Sequence, residues 1–311
     1  MNAIKWKFLL VAATFALIAN PGFSFGQYSD SGKGPHLKIL TWNIYMLPRL
    51  LVHTGQVQRA KQIANILRTQ DADIIVFEEA FDGKARRIIR AGLADLYPYE
   101  SGDPRKDVFW KGSCGVWIMS KVQVTMKKQI FFKKGAGTDW LACKGAVLVD
   151  GVDSGFHFQL IGTHLQSDPS SGKNVQEIRK IQYEQIRKEL LEPYTRENVP
   201  QFVAGDFNTV QADSGNHRQM VDSLKLSQCM MEGGKCYSYD YGNNDMIEGP
   251  VCKPQLIDYI FYSKLMYPAL QGKMHIVVFR KKWDARHIDL SDHYAVTAEF
   301  NLPANSKCVR K

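Results

Sequence analysis

Side chains suited to metal and proton chemistry recur in this chain at the ends of apolar segments. Asn43 stands in LTWNIYML, Glu79 in IIVFEEAFD, His164 in GTHLQ, Asp206 and Asn208 in AGDFN, Asp258 in IDYI, and Asp292 beside His293 in LSDHY. Functional side chains gather where rigid elements give way to loops. The placement therefore predicts several strand ends converging on one face. Carboxylates, amides and histidines brought together in this way are the components of metal-assisted phosphodiester hydrolysis.

Each residue type suggests a role. A hard cation such as magnesium takes oxygen ligands, keeps several waters, and uses one or two carboxylates together with substrate phosphate oxygens. Glu79 is the principal candidate, with Asn43 beside it, because a polar group ending a buried strand needs a partner. Glu78 precedes it, and on a regular strand it faces the opposite side, so only one of the pair is expected in the site. Asp206 and Asn208 alternate by two and share a face if the strand runs through both. The carboxylate can hold a metal or orient water, and the neutral amide can bind a phosphoryl oxygen without repelling it. Asp292-His293 suits a general base whose charge and tautomer a carboxylate stabilises. Adjacent strand residues point apart, so their direct contact requires a turn. Asp258 could contact either His164 or His293, and spacing does not choose. A strand-end histidine such as His164 is more often structural than catalytic.

The elements that must position these groups follow from periodicity. Strand character marks 37–42, 73–78, 115–119, 145–149, 156–163, 200–205, 256–262 and 295–301. Helical periodicity marks 57–69, 84–96 and 174–193. Strands along the whole chain with helices between some of them predict an α/β protein with central sheets and outer helices. The glycine-rich, acidic and aromatic stretch 232–250 reads as a long loop of functional use.

At 311 residues and 45% hydrophobic, without repeats or low-complexity linkers, the chain can bury one large core. A single catalytic domain over 27–311 is expected. Lys5 and Lys7 precede an apolar run that ends in small residues around Ser24 and Gly26, which predicts a secretory signal peptide over 1–26. No later run is long enough to span a bilayer, so a secreted protein, extracellular or periplasmic, is expected. Six cysteines permit disulfides in that setting, and Cys229 with Cys236 would close a tight loop around Gly233-Gly234. No cysteine or histidine spacing suits structural zinc. The net charge of +9 favours anionic partners, nucleic acid or lipid, although an ordinary basic surface also accounts for it.

Taken together, TWNIYMLP, GQxxRA around Arg59, EEAFD, GxGxD at 135–139 followed by KG, IGTHLQ, GDFN, LIDYI and SDHY resemble the bacterial neutral sphingomyelinases. These lie within the DNase I-like endonuclease/exonuclease/phosphatase superfamily. The resemblance runs from about residue 37 to about residue 301. It implies a DNase I-like two-sheet β-sandwich flanked by helices in four layers, with one central site using Mg2+ or another divalent cation such as Mn2+ or Co2+. It implies that Glu79 and Asn43 hold the metal with Asp206 and His293 close by, and that His293, oriented by Asp292, activates water. His164 would stabilise or protonate around the phosphoryl group, Asn208 would bind a phosphate oxygen, and Asp258 would complete the catalytic set. The implied activity is that of a sphingomyelin phosphodiesterase, phospholipase C type. It would release phosphocholine and leave ceramide in the membrane, with the enzyme acting as a monomer in peripheral contact with its sphingolipid substrate.

Two departures from the family pattern stand out. Secreted members carry a peripheral metal site built on an Asn soon after the FD and a Glu-Asp pair before a Gly-Gly. Here the stretches read FDGK, with Gly83, and WKGSCG, with Gly112 and Ser113, so that site is expected to be absent. The membrane-inserting aromatic hairpin is replaced by HIVVFRKKWDARHIDL, which predicts electrostatic docking through Arg280, Lys281 and Lys282 with Trp283 at the interface. A secreted DNase I-like nuclease is the alternative reading. The weakly basic SDPSSGKN loop and the acidic, aromatic 232–250 stretch favour lipid over nucleic acid. A non-catalytic binding module would be signalled by loss of Glu79, Asp206 or His293, and none is lost.

Overall fold

Strand β1 (His36–Met46) carries apolar side chains on both faces because both faces are covered. Its Leu37 and Ile39 enter one core, between the sheets, while Leu40, Trp42, Ile44 and Met46 enter another, under helices. The computed structural model describes residues 35–101, 114–137, 139, 142–168, 174–248, 252–265 and 267–302. The expected leader at 1–26, Gly112 and Ser113, and part of the SDPSSGKN loop lie outside the described residues.

One sheet joins β1 to β2 (Ile74–Ala80), β3 (Tyr99–Ser101), β4 (Trp117–Ser120), β10 (Met230–Met231), β12 (Gly272–Val277) and β13 (Ala295–Asn301). The other joins β5 (Gln123–Phe131), β6 (Gly145–Asp153), β7 (Phe156–His164), β8 (Gln201–Asp206), β9 (Ser227–Gln228) and β11 (Asp258–Tyr262). Their orders are β10-β12-β13-β1-β2-β4-β3 and β5-β6-β7-β8-β11-β9. Helices α1 (Gln56–Leu67) and α2 (Gly83–Leu93) cover the first sheet through Ala60, Ile63, Leu67, Ala85, Ile89 and Leu93. Helices α3 (Val175–Ile186) and α4 (Ser214–Leu224) pack on the second through Tyr183, Ile186, Met220 and Leu224. The result is the expected α/β sandwich of mixed sheets flanked by helices. No helix among the described residues is long and apolar enough to cross a membrane.

The strands predicted from periodicity all form. The unpredicted elements carry weak patterns. Strand β5 is an edge strand with Lys127 and Lys128 in its run, α4 buries only Met220 and Leu224, and β12 begins on Gly272. The helix expected over 174–193 is α3 continued by a π-helical turn at Arg187–Leu191 and a 3-10 turn at Glu192–Tyr194.

Two expectations are corrected. Cys229 and Cys236 are not bonded to each other. Cys229 is buried, its sulfur so close to Gly272 that a Cβ there would lie 2.5 Å away, whereas Cys236 is exposed. The basic stretch after β12 is not a free docking cluster either. Arg280 Nε donates to Asp289 Oδ1 at 2.8 Å, and the same guanidinium donates to the Asn243 carbonyl and the Tyr294 hydroxyl. Trp283 is half-buried, donates through Nε1 to Asp289 O at 2.7 Å and stacks on His287. Phe279 is buried against Trp42. Only Lys281 and Lys282 of that cluster remain exposed without such ties.

Candidate active site

Register places the chemistry. In the second sheet His164 pairs with Asp206 across β7 and β8, and Asp206 pairs with Asp258 across β8 and β11, so these residues form one row. In the first sheet Asn43 on β1 lies beside Glu78 on β2. Asn43 Nδ2 then donates to Asp206 Oδ2 at 3.1 Å, bridging the ends of the two sheets. Gly205 makes the close pairing possible, since a Cβ there would fall 1.9 Å from Thr163 O.

His293 sits on the segment leading into β13, and its partner is Asp258. His293 Nδ1 lies 2.9 Å from Asp258 Oδ2, and its Nε2 lies 3.8 Å from Asp206 Oδ2. The resemblance-based role of Asp292 as the orienting carboxylate is thereby corrected, because adjacent residues diverge and Asp258 reaches the ring from the neighbouring sheet. Asp292 instead lines the cleft with Glu79. Surrounding groups fix this arrangement. Trp42 Nε1 donates to His293 O at 2.9 Å, Ser291 Oγ to Asn43 O at 2.6 Å, and Asn244 Nδ2 to the Ser291 and Asp292 carbonyls. Ser238 Oγ accepts from the Ile257 and Asp258 amides, and the adjoining Tyr239 lines the cleft, so this part of the expected loop stands at the site.

Only one of Glu78 and Glu79 enters the site, as expected, although the backbone there is not regular strand. Glu79 has φ 53°, a left-handed conformation that breaks the strand's alternation. Glu78 is fully buried and accepts from Thr41 Oγ1 at 2.6 Å, behind the site, while Glu79 turns into the cleft. Asn208, at φ 50°, also lies beyond the strand, which stops at Asp206; its amide N–H donates to Asp206 Oδ1 at 2.9 Å. Tyr45 adopts φ 49° at the same rim. Left-handed backbone at non-glycine residues gathers at functional sites, where the surrounding structure over-determines it.

Glu79, His164, Asp206, Asn208, Tyr239, Asp292 and His293 line a cleft of about 320 Å³. Asn43 does not line it, because its amide is engaged by Asp206 and by the Tyr45 N–H. The donor set fits a hard divalent cation. Glu79 Oε2 is buried with no hydrogen-bond partner, an arrangement that a cation would satisfy. Asp206, Asp258 and His293 also place one donor atom each within 4.8 Å of one another.

Electrostatics polarise the site. Burial works to lower the His293 pKa, but Asp258 and Asp206, then Asp292, outweigh it and hold the ring well above its usual value. Burial works to raise Asp206, yet His293, His164 and Lys144 pull it well below the carboxylate range. Burial, with Glu79 adding repulsion, pushes Asp292 up to about 6 against the pull of His293 and Arg59.

One participant carried no assigned role in the sequence reading. Lys144, the lysine of the KG pair, is buried with Nζ 2.8 Å from His164 Nε2, 3.0 Å from Asp139 Oδ2 and 2.9 Å from Leu165 O. The adjoining GxGxD run was the available signal, since Asp139 is the partner that makes burial of this lysine tolerable.

Matching to known families decides the lineage: residues 40–293 match the Endonuclease/Exonuclease/phosphatase family. The chain belongs to that family. It is 32% identical over 305 residues to Sphingomyelinase C of Leptospira interrogans, covering 88% of this chain and 54% of that relative. The chain thus spans about half the length of that protein. Among solved structures, Sphingomyelinase C from Streptomyces griseocarneus is similar with TM-score 0.76 and 27% identity over 87% of this chain and 100% of that one. A beta toxin mutant from Staphylococcus aureus with bound magnesium ions gives TM-score 0.74 and 26% identity over 85% and 99%.

Proposed function

We propose that the protein is a secreted, magnesium-dependent phosphodiesterase of phospholipase C type that hydrolyses sphingomyelin, or a related sphingophospholipid, to ceramide and phosphocholine. One observation carries the reading: a histidine held by a buried carboxylate, His293 on Asp258, faces the same cleft as the unpartnered Glu79 oxygen. The similarity to sphingomyelinases supplies the substrate class, and the leader-like residues 1–26 supply export.

The chain's own groups divide the work. Asp258 fixes His293 through Nδ1, leaving Nε2 to take a proton from water attacking phosphorus. The bond from phosphorus to the ceramide oxygen breaks as the new phosphorus–oxygen bond forms, and the leaving oxygen takes up a proton to become ceramide. His164, backed by Lys144, lies on the other flank of Asp206 at 3.3 Å, placed to stabilise charge on the phosphoryl group. Asn208 stands at the cleft wall, where its amide can meet a phosphoryl oxygen. Glu79, with Asp292 and Asp206, would hold the cation, which when bound offsets charge on the phosphoryl oxygens.

The test is a substrate panel of sphingomyelin, phosphatidylcholine, ceramide phosphoethanolamine and plasmid DNA, with magnesium and with chelator. Magnesium-dependent phosphocholine release from sphingomyelin is expected. Plasmid nicking without lipid cleavage would replace this reading with a nuclease.

A further inference from the structure

Among the described residues, the large apolar side chains most open to solvent sit side by side: Leu50 is 95% exposed and Leu51 77%. They occupy the loop that follows β1, at the end of the sandwich where Asn43 and Glu79 stand. Their display is built in. The Leu51 and Val52 amides both donate to Pro48 O, Gln56 Nε2 donates to Leu47 O and Val52 O, and Arg49 Nε donates to Asp82 Oδ2 at 2.7 Å. A turn pinned on its inner side by these bonds holds both leucines outward.

The segment 280–289 lies against this loop, since a Cβ on Gly55 would fall 2.2 Å from the Trp283 ring. That segment adds exposed Lys281 and Lys282 and the 43% exposed Ile288. Adjacent exposed leucines on a loop packed against a lysine-bearing segment match a lipid–water interface, where apolar side chains reach the acyl region and lysines stay at the phosphates.

We infer that the Leu50–Leu51 turn, together with Lys281 and Lys282 on the segment packed against the same loop, seats the protein on a phospholipid bilayer. The inference rests on the lipid-substrate reading above and names the surface that delivers that substrate. It differs from docking through Arg280 and Trp283, whose polar groups are engaged internally.

The test compares wild type with Leu50→Ser/Leu51→Ser by co-sedimentation with sphingomyelin–phosphatidylcholine vesicles in chelator, so that turnover does not alter the membrane. Turnover of a short-chain, water-soluble sphingomyelin analogue is measured separately with magnesium. The double variant should lose vesicle affinity by roughly 100-fold, as expected for withdrawing two leucines from apolar surroundings, with turnover of the soluble analogue unchanged. Retained vesicle binding would overturn the proposal, and so would parallel loss of soluble turnover, which would place the turn's effect within the cleft. In a second variant, Leu50→Trp, the added fluorescence should shift to the blue on vesicles; an unshifted signal from sedimented protein would overturn the proposal by placing the contact elsewhere. Wild type that sediments through this turn yet cleaves no sphingolipid in either form would leave the docking surface standing and remove the substrate reading.

Discussion

At the scale of single residues, His293 is paired with Asp258 and not with its chain neighbour Asp292. Asp258 holds His293, so Asp258→Asn should disturb the base, altering the pH profile of kcat with little effect on magnesium affinity. Asp292 lines the cleft with Glu79, so Asp292→Asn should weaken magnesium binding more than it alters that profile. Replacing His293 by Ala should lower the rate by ~10²–10⁴-fold, the range for a positioned acid–base group. Steady-state kinetics over pH, combined with magnesium titrations, separates these outcomes. The same charges predict a proton count. The surrounding carboxylates hold the His293 pKa above its usual value and so favour the protonated ring. A cation placed among Glu79, Asp292 and Asp206 opposes that charge, so magnesium binding should release protons and strengthen as pH rises. Calorimetry in buffers of different ionisation enthalpy should show the release, and an affinity that is flat or falls with rising pH would contradict it.

At the scale of elements, Arg59 ties the parts together. This buried side chain on α1 donates to Ile44 O, Tyr45 O, Thr54 O and Leu290 O, joining the end of β1, the loop after it and the segment before β13. Lysine cannot reproduce that planar fork. Arg59→Lys should therefore leave buried carbonyls unpaired and destabilise the fold by about 2–4 kcal/mol, with activity falling because Asn43 and His293 lose their common frame. Thermal denaturation beside kinetics checks this, and an unchanged Tm would count against it. Much of this level was legible in the sequence. Buried β2 opens on the continuous apolar run Ile74, Ile75, Val76 and Phe77, and α1 showed its apolar stripe at Ala60, Ile63, Ala64 and Leu67. Strand β5 and helix α4 escaped because their exposed faces dilute the period, and the left-handed turn at Glu79 escaped because strand alternation was assumed to continue.

At the scale of the molecule, the identities of the site residues were legible and their pairings were not. Asp258 chooses His293 over His164 because β7, β8 and β11 align in a particular register while the segment before β13 folds back over that row. No local spacing encodes that choice. Lys144 was hidden similarly, since its partners Asp139, His164 and Leu165 meet it only in the folded sandwich. The basic run at 280–282 divides in the fold, because Asp289 and Asn243 claim Arg280 through loop packing while Lys281 and Lys282 stay exposed. The central claim is that this assembly is one metal-assisted hydrolytic site centred on Glu79. Its most direct test is phosphocholine release from sphingomyelin as magnesium is titrated, for wild type and for Glu79→Gln at matched thermal stability. Wild type should show saturable release abolished by chelator, and the variant a rate lower by orders of magnitude with a weakened magnesium response. Equal rates and an unchanged magnesium dependence in Glu79→Gln would contradict it.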